Sequence, residues 1–186
     1  MTVTRAPERF TTARLLLRRP ALRDLEAVFS RYASDPEVTR YLAWPTHRSL
    51  ADTEAFLSLS DAEWARWPAS SYLVWSSSGE VLLGSTGLAF ETDTDAITGY
   101  VLARDAWGKG YATEALVAMV RLAGTLGVRR LSAGCHPEHG ASQRVLEKGG
   151  FSQESLLHRE SGFPNLPADA RHDVLIYSRR LDGDPG

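Results

Sequence analysis

The sequence predicts an α+β fold, an α/β sandwich around one mixed sheet, and three observations carry that expectation. The hydrophobic period changes from helical to alternating near residue 71, strands and helices then follow one another, and the connections stay short.

Taken in order, "TARLLLRRP" is a first strand closed by Pro20. Its arginines raise a local basic patch as an alternative, but one solvated face of a strand explains them equally well. "LRDLEAVFSRYAS" places Leu22, Leu25, Val28, Phe29 and Tyr32 on one side of a helix. "DPEVTRYL" is a short helix with Asp35 at its cap and Pro36 in its first turn. Ser49 and Asp52 form a capping box, and Ala55, Phe56 and Leu59 carry that helix toward Trp64.

"SYLVWSSSGEVLLGSTGLAF" predicts two strands about the turn "SSSG", with Gly84 and Gly87 marking bulges. "AITGYVLA" is the next strand, after the acidic turn "ETDTD". From Ala112 the chain is helical, with Leu116, Met119, Val120 and Ala123 on one face and Gly127 as its C-cap. "RRLSAGC", "ASQRVLEKGG", "FSQESLLH" and "HDVLIYSRRL" then predict strand, helix, strand and strand. The polar "DGDPG" reads as a disordered tail over about 182–186.

A chain of 186 residues with 43% hydrophobic content is expected to form a single domain over 1–186. The formal charge of −2 supplies no field toward nucleic acid. No signal peptide and no apolar stretch long enough for a membrane is present, so a soluble, cytoplasmic protein is expected. Cys135 is the only cysteine and sits in an apolar strand pattern, which points to a small core residue. The five histidines show no metal-ligand spacing, so no metal is expected.

The stretch "WGKGYATEA", Trp107 to Ala115, puts Gly108 and Gly110 just before the long helix. A helix start has free N–H groups and a positive dipole end, and glycines let an anion approach them. Lys109 adds a point charge at the mouth. A bare strand-to-helix turn explains the glycines as well, and the loop alone leaves the two readings level. Other phosphate-loop patterns fail, since the residue three after Gly110 is Thr113.

A second segment, "HPEHGASQRVLEKGGF", lies one strand and one helix further on. With "GYVLARDAWGKGYATEA" it closely resembles the GNAT superfamily of acetyl-CoA-dependent N-acetyltransferases. Within it the chain looks like the RimJ/RimL branch, which acetylates protein N-termini and assorted small amines. The resemblance runs from "ARLLLRRP" through "SDPEVTRYL" to the last strand. It implies a mostly antiparallel central sheet flanked by helices and splayed between the fourth and fifth predicted strands.

The family loop Gln/Arg-x-x-Gly-x-Gly/Ala falls on Trp107-Gly108-Lys109-Gly110-Tyr111-Ala112; Gly110 and Ala112 match it, and Trp107 follows the branch instead. The resemblance implies that backbone N–H groups from Trp107 to Thr113 hold the coenzyme pyrophosphate. Tyr100, Val101 and Leu102 would pair with the pantetheine arm, and the Leu102 N–H would face the thioester carbonyl. His139 stands where the family has Asn against the coenzyme arm. Leu146 replaces the tyrosine many members use as acid, and Ser142 is the hydroxyl offered in its place, or simply a helix-start serine. The general base stays open among Glu91, His139, His47 and a water chain.

For the acceptor, Tyr41, Trp44, His47, Trp67 and Tyr72 supply aromatic surface. The implied reaction moves acetyl from acetyl-CoA to a primary amine, a small molecule or a protein N-terminus, by direct attack in a ternary complex. A non-catalytic acyl-CoA-binding sensor or interaction module is the alternative, because the usual carboxylate and tyrosine are missing. The branch resemblance is consistent with a homodimer; neither nucleic acid nor membrane is expected as a partner.

Overall fold

The computed structural model describes residues 4–158, 162–167 and 172–182. Eight strands form one sheet in the order β1-β2-β3-β4-β5-β6-β8-β7. These are Arg9–Thr11 (β1), Leu15–Arg18 (β2), Ser71–Ser76 (β3), Leu82–Phe90 (β4), Asp95–Leu102 (β5), Arg130–Cys135 (β6), Ser152–Leu157 (β7) and Val174–Arg180 (β8). Every neighbouring pair is antiparallel except β5 and β6. The helices are Leu25–Val28 (α1), Pro36–Thr39 (α2), Leu50–Arg66 (α3), Tyr111–Thr125 (α4) and Gly140–Lys148 (α5).

Seven of these strands match the expected ones. β1 was not anticipated, because three residues are too few to carry a readable alternation. It is held by pairing with β2, and Phe10 packs edge-on against Tyr72 with ring centroids 5.2 Å apart. The single helix expected over 22–34 is instead a 3₁₀ turn, α1 and a π turn at Phe29–Ala33. Serine hydroxyls explain part of the break: Ser30 Oγ donates to the Glu26 carbonyl and Ser34 Oγ to that of Phe29, both at 2.7 Å.

The expected caps form. The Asp35 carboxylate accepts from the Glu37 N–H at 2.9 Å, and Asp52 accepts from the Ser49 N–H at 3.0 Å. The bulge expected at Gly84 is present, since Val74 pairs with Gly84 and Trp75 with Leu82. At Gly87 the register is regular. A Cβ there would lie 2.8 Å from the Ser70 carbonyl oxygen, so close strand approach explains that glycine. The tail expected over 182–186 falls outside the described residues, apart from Asp182.

Side chains alternate across the sheet, so each face builds its own apolar cluster. Val101 joins Leu73, Val28 and Tyr32 on the α1–α2 face. Leu102, with Tyr100 packed beside it, joins Met119, Leu131 and Leu146 on the α4–α5 face. No helix among the described residues is long and apolar enough to cross a membrane.

Candidate active site

β4 and β5 are paired along their whole length, from Gly84 opposite Leu102 to Phe90 opposite Ala96. β5 and β6 pair only from Asp95 to Ile97. Beyond Ile97 the two parallel strands separate, which is the splay expected between them. The Ala103 N–H donates to the Leu83 carbonyl at 2.8 Å. Antiparallel ladders alternate, so Val101 and Gly99 bond to β4, while Tyr100 and Leu102 turn their peptide groups into the gap.

Gly84 makes the strand end possible. A Cβ there would sit 2.0 Å from the Val101 carbonyl oxygen, so a side chain would push β4 off Leu102. Across the gap, the Leu102 carbonyl accepts the indole N–H of Trp107 at 2.8 Å. The Leu102 N–H is left pointing into the same gap.

The glycine loop then turns into α4. Gly110 is its N-cap at φ 80°, a left-handed conformation that favours glycine. The first intrahelical bond runs from the Glu114 N–H to the Gly110 carbonyl at 3.1 Å, so the amides of Tyr111, Ala112 and Thr113 precede the ladder. At Gly108 a Cβ would meet nothing within 4 Å, so the loop is open to solvent there.

Two residues that the sequence analysis did not single out brace this loop. The Glu114 carboxylate accepts from Thr12 Oγ1 at 2.6 Å, the Arg14 N–H at 2.8 Å and Arg14 Nε at 2.7 Å. Arg14 Nη1 also donates to the Lys109 carbonyl at 2.9 Å. Burial works against the charge on Glu114, yet these hydrogen bonds prevail and hold its carboxyl below the usual range. No local motif announces this pairing, because its partners lie about a hundred residues apart.

At the other side of the gap stands the start of α5. The Tyr100 hydroxyl lies 2.9 Å from Ser142 Oγ and 3.0 Å from the Ser142 carbonyl oxygen. Burial pushes the Cys135 thiol up to about 11, the adjacent Ser142 hydroxyl acting the other way. Leu146 is 1% exposed and belongs to the core.

His139 caps α5, and its ring stacks on Tyr41 with centroids 4.9 Å apart. Tyr41 stacks equally on His136, at 5.0 Å. The Glu138 N–H can only donate, so His136 Nδ1 accepts it at 3.1 Å. With neutral rings, His136 Nε2–H then donates to His172 Nδ1 at 3.3 Å, and His172 Nε2–H to the Pro167 carbonyl at 3.2 Å. That chain occupies every nitrogen of His136 and His172. Among the described residues the ring nitrogens of His139 make no hydrogen bond. Burial, followed by the nearby His136 and Arg144, lowers its pKa and favours the neutral ring.

Residues 162–167 pack on this side, and no sequence motif marks them. Asn165 Nδ2 donates to the carbonyls of Thr39 and Trp44 at 2.8 and 2.9 Å, and its Oδ1 accepts the Thr46 N–H at 2.8 Å. Phe163 meets His136 edge-on at 5.0 Å. "SGFPNLPADA" carries no periodicity, so only the fold reveals these contacts.

Two expected positions lie elsewhere. Tyr72 is fully buried, and its hydroxyl donates to the Pro7 carbonyl at 2.8 Å, so it presents no surface to an acceptor. Glu91 sits in the β4–β5 turn, its N–H on the Asp95 carbonyl. Leu102 lies seven residues along the strand from Asp95, roughly 23 Å at ~3.3 Å per residue, so Glu91 cannot reach the gap. His47 lies beside Trp44, with ring centroids 5.0 Å apart, and shares a 2.8 Å hydrogen bond with Thr53 Oγ1 on α3 through Nδ1.

Comparison with known proteins agrees with this geometry. The family model described as acetyltransferase (GNAT) domain matches residues 14–152. The uncharacterized N-acetyltransferase p20 of Bacillus licheniformis is 29% identical over 153 residues, 81% of this chain and 85% of its own. The crystal structure of a GNAT-family acetyltransferase from Bacillus anthracis superposes with a TM-score of 0.80 at 25% identity, covering 93% of this chain and 98% of that one. RimL, a ribosomal L7/L12 alpha-N-protein acetyltransferase solved with coenzyme A, has the same fold at a TM-score of 0.81 and 21% identity, covering 93% and 97% of the two chains.

Proposed function

This chain belongs to the GNAT acetyltransferase family, and on that premise we propose that the splayed end of its sheet transfers acetyl from acetyl-CoA to a primary amine. The observation that supports this reading best is the edge of β5 beyond Ile97, which pairs with no strand among the described residues on that side and leads to the open N-terminus of α4.

The residues present fit the coenzyme. The amides from Gly108 to Thr113 would hold its pyrophosphate at the positive end of α4; that of Trp107, expected to join them, donates instead to the Arg104 carbonyl at 3.2 Å. Tyr100 through its peptide groups, and Leu102 through its N–H alone, would pair with the pantetheine arm. The Leu102 N–H would then face the acetyl carbonyl and stabilise the negative charge that builds there on attack.

In the reaction the amine nitrogen forms a bond to the acetyl carbon and the carbon–sulfur bond breaks. The sulfur leaves with that electron pair and takes up one proton, and the nitrogen gives one up. His139 would receive the proton from the amine: burial favours its neutral ring, its nitrogens make no hydrogen bond among the described residues, and it stacks on Tyr41 beside the gap. Ser142 would supply a hydrogen bond, or the proton, to the departing sulfur. Tyr41 and the Asn165 loop would line the acceptor side. The acceptor is a small-molecule amine or a protein N-terminus, within one domain that spans the chain.

Calorimetric titration with acetyl-CoA, with ATP as control, tests the reading, followed by free-thiol release over an amine panel. Tight acetyl-CoA binding with ATP ignored, and thiol release with at least one amine, supports it. Binding without turnover on any amine would point to the sensor alternative, and no binding would overturn both.

A further inference from the structure

Resting on the proposed place of Ser142 beside the thioester, we infer that Tyr100 is a positioning residue for the Ser142 hydroxyl, holding it as a hydrogen-bond donor to the departing sulfur. The resemblance uses Tyr100 only through its backbone. The fold adds a phenol that crosses the splayed edge from β5 to the first turn of α5.

The geometry has a particular consequence. A phenol carries one proton, and the Tyr100 oxygen lies within hydrogen-bond distance of two Ser142 oxygens, the carbonyl at 3.0 Å and Oγ at 2.9 Å. When the phenol donates to the carbonyl, Ser142 Oγ–H donates to the phenol. When the phenol donates to Oγ instead, the serine proton is freed from the phenol, and with the Cys135 thiol as its resting partner it can turn to a sulfur placed in the gap. The two arrangements differ only in where two protons sit, so no heavy atom has to move. In the second, each donor strengthens the next, and a serine bonded in this way is a better donor to a thiolate.

The surroundings suit such a pair. Tyr100 is mostly buried, and burial raises its pKa, so the phenol keeps its proton throughout the working range. Ser142 is 9% exposed, so its hydroxyl has little water to bond instead. The Cys135 thiol beside it stays protonated as well. With Leu146 in the core, this phenol reaches the end of the gap from β5, whereas the family tyrosine would come from the helix.

The test reads the thiol of bound coenzyme A, the leaving group itself, and needs no acceptor. Thiolate absorbance is titrated between pH 6 and 9.5 as the difference between coenzyme-loaded and free protein. The wild type, Ser142→Ala, Tyr100→Phe and the double variant are compared. A donor to the sulfur favours the thiolate, so the bound thiol should titrate below free coenzyme A in the wild type. Ser142→Ala should raise that value by about one unit, and Tyr100→Phe by about half as much. The double variant should match Ser142→Ala, because the phenol acts through the serine.

A Tyr100→Phe value equal to wild type, beside a shifted Ser142→Ala, would sink the inference and leave Ser142 in place. An additive double variant, or a Tyr100→Phe protein that loses coenzyme affinity, would make Tyr100 a wall of the slot and also overturn it. An unshifted Ser142→Ala would remove both residues from the chemistry. Failure of the wild type to bind coenzyme A would instead bring down the coenzyme reading on which the inference rests.

Discussion

The indole N–H of Trp107 donates to the carbonyl of Leu102 over 2.8 Å, so the glycine loop is tied to the strand end that it follows. One side chain occupies the carbonyl of Leu102 and leaves its N–H as the donor available at that point of the gap.

Trp107→Phe should therefore loosen the loop without disturbing the core. A single hydrogen bond of this kind is worth about 0.5–1.5 kcal/mol, or roughly a two- to tenfold loss of coenzyme A affinity by calorimetry. Unchanged affinity would show that the loop keeps its place without the indole.

Gly110→Asp should abolish coenzyme binding, since it sets a carboxylate at the helix start where phosphate would lie. Gly110→Ala separates charge from strain. Its left-handed backbone costs about 1–2 kcal/mol, and the new Cβ would lie 3.3 Å from Arg14 Nη2. The alanine variant should melt a few degrees lower and still bind coenzyme weakly. Equal binding by both variants and the wild type would remove the loop from the coenzyme site.

The imidazoles at the gap set a pH dependence whose direction can be worked out. Burial is the main cause holding His136 and His139 below the ordinary histidine value. Below about pH 6.5 the unfolded rings take up protons that the native rings refuse, so the unfolded state binds more protons. Stability is thus fully present above about 6.5 and falls as pH drops toward the native values. Urea midpoints from pH 8 to 5 should show this decline, and His139→Ala should make it shallower. If His139 accepts the amine proton, its variant should also lose roughly a hundredfold in turnover, together with the acidic limb of the pH–rate profile. An unaltered limb would return the base to water.

Tyr41 and Tyr72, read alike from sequence, should behave differently. Tyr72→Phe removes a buried hydroxyl bonded to Pro7 and should cost about 1 kcal/mol in unfolding with no change in KM for an amine. Tyr41→Ala should raise that KM, because the ring stacks on both His136 and His139. A KM change in Tyr72→Phe alone would reverse this assignment.

Much of this protein is determined locally and so could be read from the sequence. Asp35 with Pro36, and Ser49 with Asp52, announce their helices because cap and first turn are adjacent in the chain. Gly108 and Gly110 mark the loop because a left-handed turn depends on the residue that makes it. The period change at Ser71 marks the strands, and the two separated motifs name the family. Other features depend on which strands and loops meet. Tyr72 sits on a strand pattern equally able to face a ligand or the core, and only packing against Phe10 and Trp64 decided it. Glu91 is near Leu102 in sequence but at the opposite end of β5, since an extended strand separates what numbering keeps close. Glu114 with Arg14, Asn165 with Thr46, and Tyr100 with Ser142 are pairs whose members lie from about forty to over a hundred positions apart. A hydrogen bond is satisfied by distance in space, so the sequence by itself determined the elements and the family, and only the tertiary structure decided which polar groups share the gap.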